Sequence, residues 1–213
     1  ARPGPELGPE GYRKVGERHG LDLDPALYEE SRLAALDALQ RHPDHVHDDE
    51  LWIEFTEQIV RGMGGDGEGA RAVAEELVRF WEQHERFTLY EDALPALAVL
   101  RQHGVKIGLV SNGSRDLEEF VAHHRLDADC AIGSRAFGRT KPHPEIFRHV
   151  LSLLDVRPED AAMVGDSYED DIEGARALGM RAFLLDRDGR RLDEPDRLPD
   201  LFALPAALGL AVR

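Results

Sequence analysis

The segment Met163-Val164-Gly165-Asp166-Ser167-Tyr168-Glu169-Asp170-Asp171-Ile172 passes from an apolar run into a glycine, an aspartate and then an acidic helix start. Such a run reads as a short buried strand with carboxylates gathered at its carboxyl end. In an open α/β sheet, ligands sit in the crevice beyond the strand ends. Carboxylates grouped with a serine and no basic neighbour suit a hard cation such as Mg2+. Asp166 alone could cap a helix. Asp170 and Asp171 in the same turn add repulsion that a cation relieves, so Asp166, Asp171 and, less firmly placed by spacing, Asp170 form the candidate metal set.

The surrounding pattern agrees with a sheet of parallel strands. Leu94 to His103 reads as a helix closed by Gly104, Val105 to Val110 as a strand, Leu117 to His124 as a helix and Cys130 to Gly133 as a strand. Pro144 to Leu154 continues as a helix, Ala161 to Val164 as a strand, Ile172 to Leu178 as a helix and Ala182 to Leu185 as a strand. Short apolar strands alternating with helices define an α/β fold with a doubly wound parallel sheet. Arg187 to Asp200 is polar, and Leu201 to Leu210 is apolar enough to pack as a last helix.

Before Tyr90 the spacing is helical throughout: Tyr28, Leu33, Leu36 and Leu39, then Leu51, Phe55 and Ile59, then Val73, Leu77, Phe80 and Trp81. Breaks at His42-Pro43-Asp44 and at Gly62 to Gly67 predict roughly three or four antiparallel helices. The predicted division is therefore a linker over 1–10, a helical region over 11–89 and an α/β region over 90–213. The glycine run is an interhelix loop on this reading, because no strand precedes it to make a dinucleotide fingerprint.

The chain has 213 residues, 42 acidic against 26 basic, and a formal net charge of −16. That balance repels a nucleic-acid backbone or an anionic membrane, yet a small phosphorylated metabolite can still be held by local donors and a metal ion. No apolar run is long enough to cross a bilayer, and the first residues lack a signal-peptide core; the expectation is cytoplasmic residence. The single Cys130 excludes an intrachain disulfide and falls in a strand-like run where burial accounts for it.

Ser111, Asn112 and Gly113 follow a predicted strand and precede a helix, a natural nest for phosphate. Lys141 stands between Thr140 and Pro142-His143-Pro144, where the prolines stiffen its approach. The order strand-Ser-Asn, Lys-Pro, strand-Gly-Asp, with gaps of 30 and 25 residues, suits one site built from successive strand ends.

These three stretches resemble three of the four motifs of the haloacid dehalogenase superfamily, with Tyr90 to Arg187 matching its Rossmann-like core and the helical region resembling its inserted helical cap. The resemblance implies that Ser111 binds the transferred group, that Lys141 steadies the nucleophile and substrate, and that Asp166, Asp171 and Asp170 hold Mg2+. It favours a Mg2+-dependent phosphomonoester phosphatase working through an aspartyl-phosphate. A 2-haloacid dehalogenase or phosphonatase is the alternative enzyme, and a non-catalytic phosphate- or metal-binding protein the alternative from another class.

The family's first motif, a strand ending in Asp-x-Asp with the nucleophile, has no counterpart. Leu21-Asp22-Leu23-Asp24-Pro25 has the carboxylate spacing but no preceding strand, and reads as a helix cap. In the family that strand lies between those ending at Ser111 and Asp166, and its loss would leave them about 10 Å apart, twice the ladder spacing. The expectation is a piece of a longer protein whose nucleophile lies upstream of Ala1. His42, His45 and His47 with Asp44, Asp48 and Asp49 form a weaker metal candidate, more simply read as a solvated loop.

Overall fold

The computed structural model describes residues 1–39 and 43–210. The chain divides into two compact units, one holding Ala1–Thr88 with Gly113–Arg115, the other Leu89–Asn112 with Asp116–Arg213.

The first unit is helical. α1 (Pro9–Arg18), α2 (Tyr28–Asp37), α3 (Asp49–Gly62) and α4 (Gly69–Glu82) close on Tyr12, Val15, Leu23, Ile59, Val60 and Leu77. Asp48 starts α3 by accepting from the Glu50 N–H at 3.0 Å, the cap its side chain favours. Asp24 likewise accepts from the Ala26 N–H at 2.9 Å, and Leu23 is fully buried, so the Asp22 to Asp24 segment caps a turn as its sequence suggests. Gly64 and Gly67, at φ 102° and 93°, turn the chain between α3 and α4, which makes the glycine run an interhelix loop.

Residues 1–10 are not a linker. Arg2–Pro3 (β1) pairs antiparallel with Phe87–Thr88 (β2), Leu7 is fully buried, and α1 begins at Pro9. Proline-rich sequence hid this, because proline suits both a loop and the first turn of a helix.

The second unit is α/β. In chain order it contains α5 (Ala93–Gln102), β3 (Gly108–Ser111), α6 (Leu117–His124), β4 (Cys130–Gly133), α7 (Ser134–Phe137), α8 (Pro144–Leu154) and β5 (Ala162–Gly165). A wide π-type turn over Tyr168–Glu173 runs into α9 (Gly174–Arg176), followed by β6 (Arg181–Leu185), β7 (Arg197–Leu198) and α10 (Leu204–Ala207). All strand pairs here are parallel, as short apolar strands separated by helices require. β6 sends Ala182 and Leu184 into a core with Ile146, Phe147 and Ile172, and Phe183 into another with Leu100, Ile107 and Leu204. Alternate side chains thus enter opposite layers, and the sheet is covered on both faces.

The sheet is not continuous. β3 pairs with β4, and β5 pairs with β6, which pairs with β7; β3 and β5 share no ladder among the described residues. Three local expectations also differ. The strand expected over 105–110 begins at Gly108, because the Val105 N–H is taken up in closing α5 on the Leu100 carbonyl. The helix expected over 172–178 starts earlier, at Tyr168, in π-type form. β7 falls in the polar tail, where two residues are too few to show a period.

Candidate functional site

Ser111 ends β3 and Gly165 ends β5, and bonds from Asn112 and Lys141 to the acidic turn bring these two strand ends together. Ser111 is half-buried, and its hydroxyl makes a single long hydrogen bond, to the Asn112 carbonyl at 3.4 Å, which leaves its remaining capacity for a ligand. Gly113 takes φ 146°, open to glycine and strained for other residues, as the chain leaves the strand.

Lys141 is 7% exposed, unusual for a lysine and tolerable only with partners. Its ammonium donates to Asp171 Oδ1 at 2.5 Å and reaches the Val110 carbonyl at 3.4 Å. The other oxygen of Asp171 accepts from the Ser167 N–H at 3.1 Å. Ser167 also caps the acidic turn: its hydroxyl accepts from the Asp170 N–H at 3.2 Å and its carbonyl from the Asp171 N–H at 2.9 Å. The Lys141-Pro142 peptide is cis.

The turn can press against β5 because residue 165 has no side chain. A Cβ there would stand 2.1 Å from Asp171 Oδ2. The Gly-Asp signature therefore has two parts: the glycine admits the Asp171 carboxylate, and the aspartate follows it into solvent. Asp166 is exposed, while Asp170 and Asp171 are buried, at 7% and 2% exposure.

The structure brings Asn112, Lys141, Asp170 and Asp171 together, but not all in the roles their sequence suggested. Asn112, expected as a phosphate donor, spends its side-chain amide on the Lys141 backbone and on Asp170 Oδ2. Asp171, expected as a metal ligand, has both oxygens engaged by protein donors and anchors the lysine. Among the described residues no group of three or more His, Cys, Asp or Glu is arranged to hold a metal ion. Mg2+ is commonly held by one or two carboxylates completed by water and substrate oxygens, so a group of three protein ligands is not required for it.

The histidine candidate fares otherwise. His47 Nε2 lies 3.0 Å from Asp49 Oδ1, which also accepts from the Ser114 hydroxyl at 2.6 Å, and His42 lies outside the described residues. Cys130 is half-buried in β4, and burial, then the Asp129 charge, push its thiol above the ordinary range; it has none of the features of a nucleophile.

A parallel α/β unit that gathers a serine, a lysine and an acidic turn at its strand ends defines a hydrolase of known family. The model of the haloacid dehalogenase-like hydrolase family matches residues 9–179, and the chain belongs to that family. It is 39% identical to the phosphoserine phosphatase of Thermus thermophilus over 157 residues, 69% of this chain and 60% of that protein, so it spans less than two thirds of this relative. It is 31% identical to haloacid dehalogenase-like hydrolase domain-containing protein 3 of Bos taurus, over 82% of this chain and 73% of that one. Among solved structures it resembles the HAD phosphatase of Thermococcus onnurineus, with a TM-score of 0.64 and 26% identity over 94% of this chain and 87% of that one. No described helix is long and apolar enough to cross a membrane.

Proposed function

We propose that the protein is a phosphatase acting on a small phosphomonoester, with Mg2+ as its metal and an aspartyl-phosphate as its intermediate. The observation that carries the proposal is the nearly buried ammonium of Lys141, set between the Val110 carbonyl in β3 and Asp171 of the acidic turn, with Ser111 the next residue along β3. Relatives named as phosphatases support the reaction class.

In this reading Ser111 donates to a non-bridging phosphate oxygen, and Lys141 offsets the charge shared by nucleophile and phosphoryl group. Asp166 and Asp171, with Asp170 beside them, would hold Mg2+, which would supply charge neutralisation at the phosphoryl oxygens. A carboxylate oxygen attacks phosphorus, the ester P–O bond breaks with its electron pair passing to the leaving alkoxide, and that oxygen takes a proton. Water then attacks the phosphoryl group, releasing phosphate and regenerating the carboxylate. The attacking aspartate is proposed to lie on a strand between β3 and β5, in a segment preceding Ala1. The interrupted sheet supports that placement, since among the described residues β3 and β5 each lack a ladder partner on one side.

The test is release of phosphate from p-nitrophenyl phosphate and from phosphoserine by the whole native polypeptide, with and without Mg2+, beside Asp166→Asn. Metal-dependent turnover lost in the variant supports the reading. Turnover unchanged in Asp166→Asn removes the metal assignment, and halide released from 2-chloropropionate without metal replaces the phosphatase by a dehalogenase. Phosphate binding with no turnover identifies a binding protein instead.

A further inference from the structure

We infer that Asn112 is a positioning residue, whose amide fixes the backbone of Lys141 so that phosphate affinity depends on Asn112 through the lysine; this rests on the phosphatase reading of the site. Asn112 Oδ1 accepts from the Lys141 N–H at 2.7 Å, and Nδ2 donates to the Lys141 carbonyl at 3.0 Å and to Asp170 Oδ2 at 3.3 Å. A primary amide has two N–H donors, so both are committed and none remains for a phosphate oxygen. The orientation follows from the partners. Turning the amide over would set N–H against N–H and oxygen against carboxylate.

Two bonds to the N–H and C=O of one residue are what a neighbouring strand would supply, here given to a loop by a side chain. The effect on Lys141 is specific. Its flexible four-carbon stem can place an ammonium almost anywhere within reach. With its backbone pinned at the end of β3, that reach closes on Asp171 Oδ1 and the Val110 carbonyl. The third bond, to Asp170, ties the same amide to a carboxylate proposed for the metal. Asn112 thus joins three distant stretches of chain at one point, and a displacement of about 1 Å at such a site can cost on the order of a hundredfold.

The experiment is titration of inorganic phosphate in the presence of MgCl2, by calorimetry, on the full chain and on Asn112→Ala, Lys141→Met and the double variant. Each single change is expected to weaken binding about tenfold or more, and the double variant should bind as Lys141→Met does, within about twofold. If Asn112→Ala weakens the Lys141→Met protein by the same factor as it weakens wild type, Asn112 touches the phosphate itself and the inference fails. Asn112→Leu keeps much of the volume but neither accepts nor donates and adds no charge beside Asp170, so it should match Asn112→Ala and serves where the alanine protein does not fold. Amide hydrogen exchange gives an independent readout: Lys141 N–H should exchange faster in both variants while Val110 N–H in β3 does not. Unchanged protection at Lys141 overturns the clamp. Wild-type protein that binds no phosphate removes the phosphatase reading, and the exchange result then decides the clamp alone.

Discussion

Gly165→Ala tests how the acidic turn is seated. The added methyl would lie 2.1 Å from Asp171 Oδ2, 2.3 Å from its Cγ and 2.6 Å from its Cβ. Ordinary contact begins near ~3.5 Å, so the carboxylate must retreat by more than about 1 Å. That retreat stretches its bonds to Lys141 and to the Ser167 N–H, now 2.5 and 3.1 Å, past useful hydrogen-bond length. Breaking a buried ion pair costs about 3–5 kcal/mol, and relaxation of the turn places this case near ~3. With a urea m-value of about 2–3 kcal/mol per molar, the midpoint followed by far-ultraviolet circular dichroism should fall by about 1 M. The control is the sign. At a glycine with room for a side chain, the same change stabilises by about 0.4–1 kcal/mol through the unfolded chain. A midpoint that rises or stays level would refute the close approach of Asp171 to β5.

Other outcomes follow from the same contacts. Lys141→Met leaves the Asp171 carboxylate buried at 2% exposure without its cation, and should cost about 3 kcal/mol in urea unfolding as well as phosphate binding. Asp129 is held below the usual carboxylate range, first by the Ile107 N–H and then by Arg101. Its contribution to stability is therefore present above the unfolded value of about 3.9 and is lost as pH falls through the lower folded value. Asp129→Ala should flatten the acid limb of the stability profile there, measured by thermal unfolding from pH 5 to 2. Cys130, with its thiol pushed up first by burial, should react slowly with Ellman's reagent at pH 7 and quickly once urea unfolds the chain; fast reaction in the folded state would contradict its placement.

Several elements were legible because their causes are local. Leu117–His124, Cys130–Gly133 and Pro144–Leu154 match their sequence limits: Asp116 and Pro144 mark helix starts, and an apolar run bounded by polar residues marks the strand. Asp24 was readable as a cap for the same reason. β1 and β7 were not, since two residues carry no periodicity and pair only because a distant segment lies alongside. The π-type start at Tyr168 was hidden too, because it depends on Asp171 and Ile172 both bonding the Ser167 carbonyl.

The site divides along the same line. Residue type and order, together with the family resemblance, pointed to Ser111, Lys141 and the Asp166 to Asp171 turn, because hydroxyls, ammonium groups and carboxylates at strand ends are chemistry that survives without coordinates. Which partner each would take was decided by tertiary structure. Asn112 turned to the Lys141 backbone, Asp171 to the Lys141 ammonium, and Asp166 to solvent, since a buried polar group must satisfy its bonds with whatever the fold brings within about 3 Å. The sequence determines which groups are available near the strand ends; only the packing of β3, β5 and the Lys141 loop determines which of them are already spent on one another and which remain for a ligand.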